Sequence, residues 1–379
     1  MDLTSRLKIL SSQMGLEPDD NPCSATIPVD ADKVYISSAV TPGGKRIRLL
    51  KTLLTSACER NCLYCPFRAG RDFPRATFTS DELARTYMTL YHAGIVEGIF
   101  LSSGIAGGGV RVQDKLIDTA EILRYRLEFN GYIHLKIMPG AERDQVKRSM
   151  QLADRISINL EAPNAERLHF LAPHKEFINE LLRPLRWANE IKKTVPPHRT
   201  WNGYWPSSTT QFVVGAVGET DMELLSTTEY LYREVNLKRA YFSPFRPSPD
   251  TPMENQPAES PQREFRLYQS SFLLRDYHFK LEDLPFDGEG KLPLQKDPKL
   301  AWAERNLSES PIEINSASLA ELLQIPGIGL KGSREILKLR PNLLFRDIAD
   351  LRKLGVNPAR AAPFILINGK RTVSQLSLW

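Results

Sequence analysis

Ile47-Arg48-Leu49-Leu50-Lys51-Thr52-Leu53-Leu54-Thr55 runs directly into Ser56-Ala57-Cys58-Glu59-Arg60-Asn61-Cys62-Leu63-Tyr64-Cys65. The first nine residues are rich in leucine and β-branched side chains, with little alternation. That pattern suits a strand covered on both faces, as in a parallel sheet, more than one with a wet face. The second stretch sets three thiols in C-x3-C-x2-C spacing on the loop leaving that strand. A parallel strand must be followed by a crossover, so the next question is whether helices and strands alternate downstream.

They do. Strand-like runs recur at 98–103, 132–138, 155–161, 211–217 and 239–245. Helical spacing fills the gaps at 83–93, 113–129, 142–153, 177–193 and 221–235, and again at 262–277. Thr79-Ser80-Asp81-Glu82 supplies an N-cap signal before the first of these helices. Six strands alternating with helices, joined by right-handed crossovers, predict a parallel sheet curled into a partial (β/α)6 TIM-like barrel in an α/β fold. In such a barrel the working residues sit where strands end and loops begin. The expected organisation is an N-terminal extension over 1–46, a core over 47–282, a linker over 283–310 and a small all-α domain over 311–379.

Composition agrees with a globular protein: 379 residues, 41% hydrophobic and 25% charged. No run approaches the roughly 20 apolar residues of a membrane helix. The N-terminus leads into no apolar stretch of signal-peptide length, so the expected address is the cytoplasm, without a membrane. Of four cysteines, three fall between positions 58 and 65. A secreted disulfide scaffold would spread them, whereas clustered thiols read as metal or cluster ligands. Cys23 stands alone and cannot hold an auxiliary cluster; a partly buried thiol is its simplest role. The net charge of +5 is uneven: from Pro311 onward there are ten basic and five acidic residues, and 1–310 balance at 40 of each sign. A neutral body with a basic appendage suggests an anionic partner for the appendage.

Three thiolates can hold three irons of a cubane and leave the fourth iron free of protein ligands. Such an open position is what a cofactor-activating site needs. A structural zinc site and buried free cysteines are the alternatives; zinc asks for a fourth ligand, and the next histidine, His92, falls on a predicted helix. The motif, with Tyr64 just before its third cysteine, resembles the radical SAM superfamily, and residues 47–277 resemble it along their length. The resemblance implies a 4Fe-4S cluster on Cys58, Cys62 and Cys65, bound S-adenosylmethionine, and an external electron donor. It implies SAM contacts at Tyr64, at Ser103 and Gly104 ending the second strand, at Asn159 and Glu161 ending the fourth, and at Gly215 and Val217 after the fifth. Ile105 stands where the family often has Glu.

Ile325-Pro326-Gly327-Ile328-Gly329-Leu330-Lys331 resembles the hairpin of helix-hairpin-helix DNA-binding motifs. Gly327 and Gly329 permit a tight turn, and the following helix N-terminus, with Lys331 and Arg334, suits a phosphate. A second, degenerate hairpin is expected near Leu354-Gly355-Val356-Asn357. Together the two parts resemble radical SAM proteins grouped under DNA modification or repair, with a C-terminal helix-hairpin-helix. That resemblance implies nucleic acid, DNA in the first place, as partner, together with a uracil-DNA-glycosylase-like protein.

Arg68, Arg71 and Arg75 follow the cysteine loop and are candidate substrate or SAM-carboxylate contacts, as is Arg246 after the sixth strand. His174, Lys175 and Ser243 have similar standing. Trp201, Tyr204 and Trp205 look like a stacking patch, but they precede a strand and so belong at the opposite end, where packing is their expected role. The leading reading is a radical SAM enzyme acting on a nucleic-acid component. An RNA- or small-molecule-modifying enzyme, and a non-catalytic iron–sulfur DNA-binding partner, are the alternatives.

Overall fold

The computed structural model describes residues 2–12, 14, 34, 36–41 and 44–372; Cys23 lies outside the described residues. Two compact units divide the chain: Met1–Glu219 with Tyr230–Ser260, and Thr220–Glu229 with Pro261–Trp379.

The first unit is built on one seven-stranded sheet in the order of the chain: β1 (Ile36–Val40), β2 (Arg46–Leu53), β3 (Gly98–Ser102), β4 (Tyr132–Lys136), β5 (Arg155–Ser157), β6 (Ser207–Val214) and β7 (Arg239–Pro244). From β2 to β7 every pairing is parallel, and β1 is added antiparallel to β2. The six expected strands are therefore joined by a seventh. Side chains from all seven strands line one interior cavity, so the sheet is curled into a partial barrel.

Crossover helices follow from the apolar stripes of the sequence: α2 (Ser80–His92), α3 (Gly109–Glu121), α4 (Arg143–Leu152), α5 (Ala165–Leu171) and α6 (Arg183–Thr194), with α1 (Leu3–Ser12) ahead of the sheet. Thr79 caps α2 through a reciprocal box with Glu82, as its sequence suggests. The helix expected over 177–193 instead opens with a π-helical turn, Phe177–Leu182, before α6.

Helix α7 (Asp221–Glu234) spans the division, and the second unit continues with α8 (Pro261–Asp276), α9 (Pro298–Asn306), α10 (Leu319–Gln324), α11 (Leu330–Leu339), α12 (Ile348–Arg352) and α13 (Pro358–Ala361). A small sheet of β8 (Ile312–Glu313), β9 (Ile365–Ile367) and β10 (Lys370–Arg371) completes it, so this part is not all-α. Two features differ from the expected division. Helix α8, assigned to the core from sequence, clusters with the second unit. Within the expected linker, α9 contributes Ala303, and Leu307 follows it, to the same apolar cluster as Leu322, Ile328, Ile336 and Phe345. Among the described residues no helix is long and apolar enough to cross a membrane.

Arg124 organises the end of the barrel away from the cysteine loop. Its side chain is 2% exposed, donates to the carbonyls of Phe129, Gly131 and Leu152, and pairs with Asp154 at 3.1 Å. Trp201 covers its guanidinium at 3.6 Å. Trp205 donates from Nε1 to the Val195 carbonyl, so both tryptophans pack as expected, while Tyr204 is exposed. Arg124→Met should lower stability by about 3–5 kcal/mol, because it strands a buried carboxylate and three carbonyls. Denaturant unfolding of the full chain checks this, and a loss below about 1 kcal/mol would contradict the assignment.

Candidate functional site

The cysteine loop leaves β2 and folds back against the end of β3. The Gly104 amide donates to the Thr55 carbonyl at 2.7 Å, and the Glu59 amide to the Ile105 carbonyl at 2.7 Å. A Cβ on Gly104 would stand 2.3 Å from the Ala57 carbonyl oxygen, so the two backbones touch and only glycine fits. Glu59 in turn accepts from the Gly107 amide at 2.9 Å and the Gly108 amide at 3.2 Å. Sequence reasoning passed over this clamp; its signal was the run Gly107-Gly108-Gly109 just after a strand.

Arginines complete the loop through backbone carbonyls. Arg75 donates to the carbonyls of Ser56, Phe67, Arg68 and Arg71 and lies over the Phe73 ring at 4.2 Å. Arg71 donates to the carbonyls of Pro66 and Pro249 and faces Asp250 at 3.7 Å. Each guanidinium is thus fixed in part on backbone acceptors. Arg68 keeps a buried Nε without a partner, and Arg246 is exposed after β7. Arg60 reaches the other way, to the His174 carbonyl and to Glu180 in the π-helical turn at 2.6 Å.

These contacts hold Cys58, Cys62 and Cys65 as free thiols, Cys62 buried and the others partly so. Burial raises the Cys62 thiol, against Lys175, and pushes Cys65 up to about 12 with help from Cys62. The thiols therefore sit within electrostatic reach of one another in a site that asks for cationic neighbours. Among the described residues no three His, Cys, Asp or Glu converge as a single metal ion requires. A cubane takes one thiolate per iron, and three soft sulfurs on one loop fit that demand.

Beside the thiols lies a buried ionic group. Glu161 pairs with Lys175 at 2.9 Å, their side chains 7% and 9% exposed. Tyr64 hydrogen-bonds the same carboxylate. Burial works against the Glu161 charge, yet Lys175 and Lys136 hold its carboxyl below the usual range; the Cys62 sulfur and Glu161 likewise keep Lys175 charged against its own burial. Glu161 adopts φ +66°, which non-glycine residues rarely do, and two backbone bonds to β6, from its amide to Gln211 and from Val213 to its carbonyl, hold it there. Strain of this kind persists where surrounding structure over-determines it, often at working sites. Sequence analysis placed Lys175 after the fourth strand without its partner, because only the returning loop brings the two together.

Asn159 faces the barrel interior. Ser103 donates its hydroxyl to the Gly104 carbonyl. The amides of Gly215 and Val217 both donate to Glu219, so the 215–219 loop is closed on itself and these donors are engaged. In the second unit, Gly327 (φ +84°) packs against Asn357 and Arg360, and Lys331 and Arg334 are exposed at the start of α11. The expected row of free amides is shortened there, because the Leu330 amide donates to the Tyr277 hydroxyl. Gly104→Ala should displace the cysteine loop and cut iron bound after anaerobic loading at least severalfold, with the fold retained by circular dichroism. Normal loading would show that the close approach is dispensable.

Among solved structures, the chain is similar to methylornithine synthase at 15% identity, covering 60% of this chain and 61% of that one, with a TM-score of 0.47. The FeFe-hydrogenase maturase HydG from Carboxydothermus hydrogenoformans matches at 14% identity, 60% and 51% coverage, and 0.46. Coproporphyrinogen III oxidase from Escherichia coli, whose description calls it a radical SAM enzyme, matches at 16%, 69% and 58%, and 0.38. The chain thus spans about half to three fifths of these proteins' lengths. No curated protein matches it. Residues 52–231, which carry the three cysteines, the end of β2 and the strands from β3 to β6, match the family model of the Radical SAM superfamily.

Proposed function

We propose that this protein reductively cleaves S-adenosylmethionine and directs the resulting 5′-deoxyadenosyl radical at a nucleic-acid component, in DNA modification or repair. The observation that carries the enzymatic reading is the clamped loop that presents Cys58, Cys62 and Cys65 next to the Tyr64–Glu161–Lys175 group. A 4Fe-4S cluster held there would, once reduced by an external donor, supply the electron for reductive cleavage of the sulfonium of S-adenosylmethionine. Cys58, Cys62 and Cys65 would hold three of its irons. Arg75 and Glu59 keep the loop in place, Lys175 neutralises Glu161, and the Glu161 carboxylate fixes the Tyr64 hydroxyl.

The nucleic-acid half of the proposal rests on the second unit. Lys331 and Arg334 project from the start of α11, behind the turn that Gly327 permits. Such a helix-hairpin-helix arrangement positions a protein on phosphates without reading sequence. Gly332 lies against Val356 and Leu354 of the second turn, so the two hairpins brace one another. A uracil-DNA-glycosylase-like partner fits this reading. One observation favours the small-molecule alternative: Lys299 donates to the Ile328 carbonyl at 2.7 Å and Tyr277 accepts from Leu330, so the hairpin is partly satisfied from within.

Two measurements test the proposal. Anaerobically loaded protein should carry about four irons per chain and yield 5′-deoxyadenosine with a reductant. Cys62→Ala should abolish both, and a normal cluster in that variant would sink the assignment. Binding of the full chain to duplex should fall with salt, and Lys331→Ala and Arg334→Ala should each reduce the log–log slope by about one. Unchanged slopes would remove the hairpin as the phosphate grip and leave the small-molecule reading in front.

A further inference from the structure

The curled sheet encloses a polar cavity lined from β1 to β7, with Ser37, Lys51, His134, Asn159, Gln211 and Tyr241 among its walls. It is small, about 30 Å³, room for one or two waters or a group of a few heavy atoms. Two of its wall groups are unsatisfied. His134 is 7% exposed and its Nε2 has no partner; Ser37, also 7% exposed, has none for Oγ. Buried polar atoms are seldom left unpaired, and two on one cavity indicate a polar occupant.

The walls also select the charge of that occupant. Among the described residues lining the cavity there is no carboxylate, whereas Lys51 lies on it, 5% exposed, with hydroxyls and amides around it. Lys51 has interactions of its own, but an ammonium has three donors to share. His134 stacks edge-on with Phe100, ring centres 4.5 Å apart, which fixes where its imidazole points. We propose that this cavity binds an oxyanion, the carboxylate or phosphate group of a small molecule, between the Lys51 ammonium, His134 Nε2 and Ser37 Oγ. Burial first, then the positive charges of Arg155, Lys51 and Lys136, hold the imidazole well below its ordinary pKa. Three cations thus act on the imidazole beside the cavity, which favours an anionic occupant there over water.

The placement matters for the reaction proposed above. Asn159 lines this cavity and stands two residues before Glu161, the group beside the cysteines. An oxyanion anchored inside the barrel would therefore aim the remainder of its molecule toward the strand ends. That corollary rests on the radical SAM reading; the binding itself does not.

The test uses the full chain, with inorganic phosphate and acetate as separate titrants followed by calorimetry. One of them should bind saturably, and the one that does tells whether the natural ligand brings a phosphate or a carboxylate. Lys51→Met and His134→Ala should each weaken it at least tenfold. Because either variant could fail to fold, crystals of the parent soaked in selenate give a second readout, with an anomalous peak expected between Lys51 and His134. Saturable binding of neither titrant, or waters alone in the cavity of crystals soaked in the titrant that binds, would overturn the proposal. Cleavage of S-adenosylmethionine by the parent chain is scored separately: cleavage without anion binding removes the oxyanion site and spares the enzymatic reading, and binding without cleavage does the reverse.

Discussion

Where β3 ends, the backbone at Gly104 lies against the carbonyl of Ala57 with no room for a side chain. The cysteine loop is thereby joined to the second strand of the parallel series, with its course set by main-chain contacts before any side chain is considered. From this contact the rest follows. Ile105 receives the Glu59 amide, Glu59 holds the glycine run, and the loop's far side meets α5 through the Leu63 amide and the Leu171 carbonyl. The thiols are consequently held by strands, as a site needing tight geometry requires.

The barrel was largely legible because its strands are covered on both faces and so read as continuous apolar runs. The exceptions are the start of β6, whose polar Ser207-Ser208-Thr209-Thr210 precedes the expected run from 211, and β1. Ile36-Ser37-Ser38-Ala39-Val40 carries small and polar residues because its buried face, Ser37 and Ala39, lines a polar cavity, and no apolar alternation announces it. The three cysteines were legible from spacing, whereas the pairing of Lys175 with Glu161 was not. A residue fourteen positions past Glu161 becomes its partner only through the path of the intervening helix and loop, which local pattern does not encode.

The arginines after the loop show the converse. Their position next to the cysteines suggested a ligand, yet Arg71 and Arg75 are engaged with carbonyls because a loop crowded with turns leaves many acceptors without backbone donors. Charge alone could not separate these uses. In the second unit, α9 was hidden for a similar reason: its short apolar side, Leu300 and Ala303 with Leu307 just beyond, becomes a core face only against the apolar cluster of α10 and α11.

The network around Arg75 also bears on how the metal site comes into being. In small zinc modules the chain is unfolded until metal arrives, and binding must supply the ordering entropy. Here one guanidinium joins four carbonyls across the loop, and Glu59, Arg60 and Gly104 secure its edges by contacts among protein groups. The course of the loop is thus set by contacts among protein groups as well as by what its thiols ligate. Those contacts contribute part of the ordering that, in a small zinc module, the metal alone must supply.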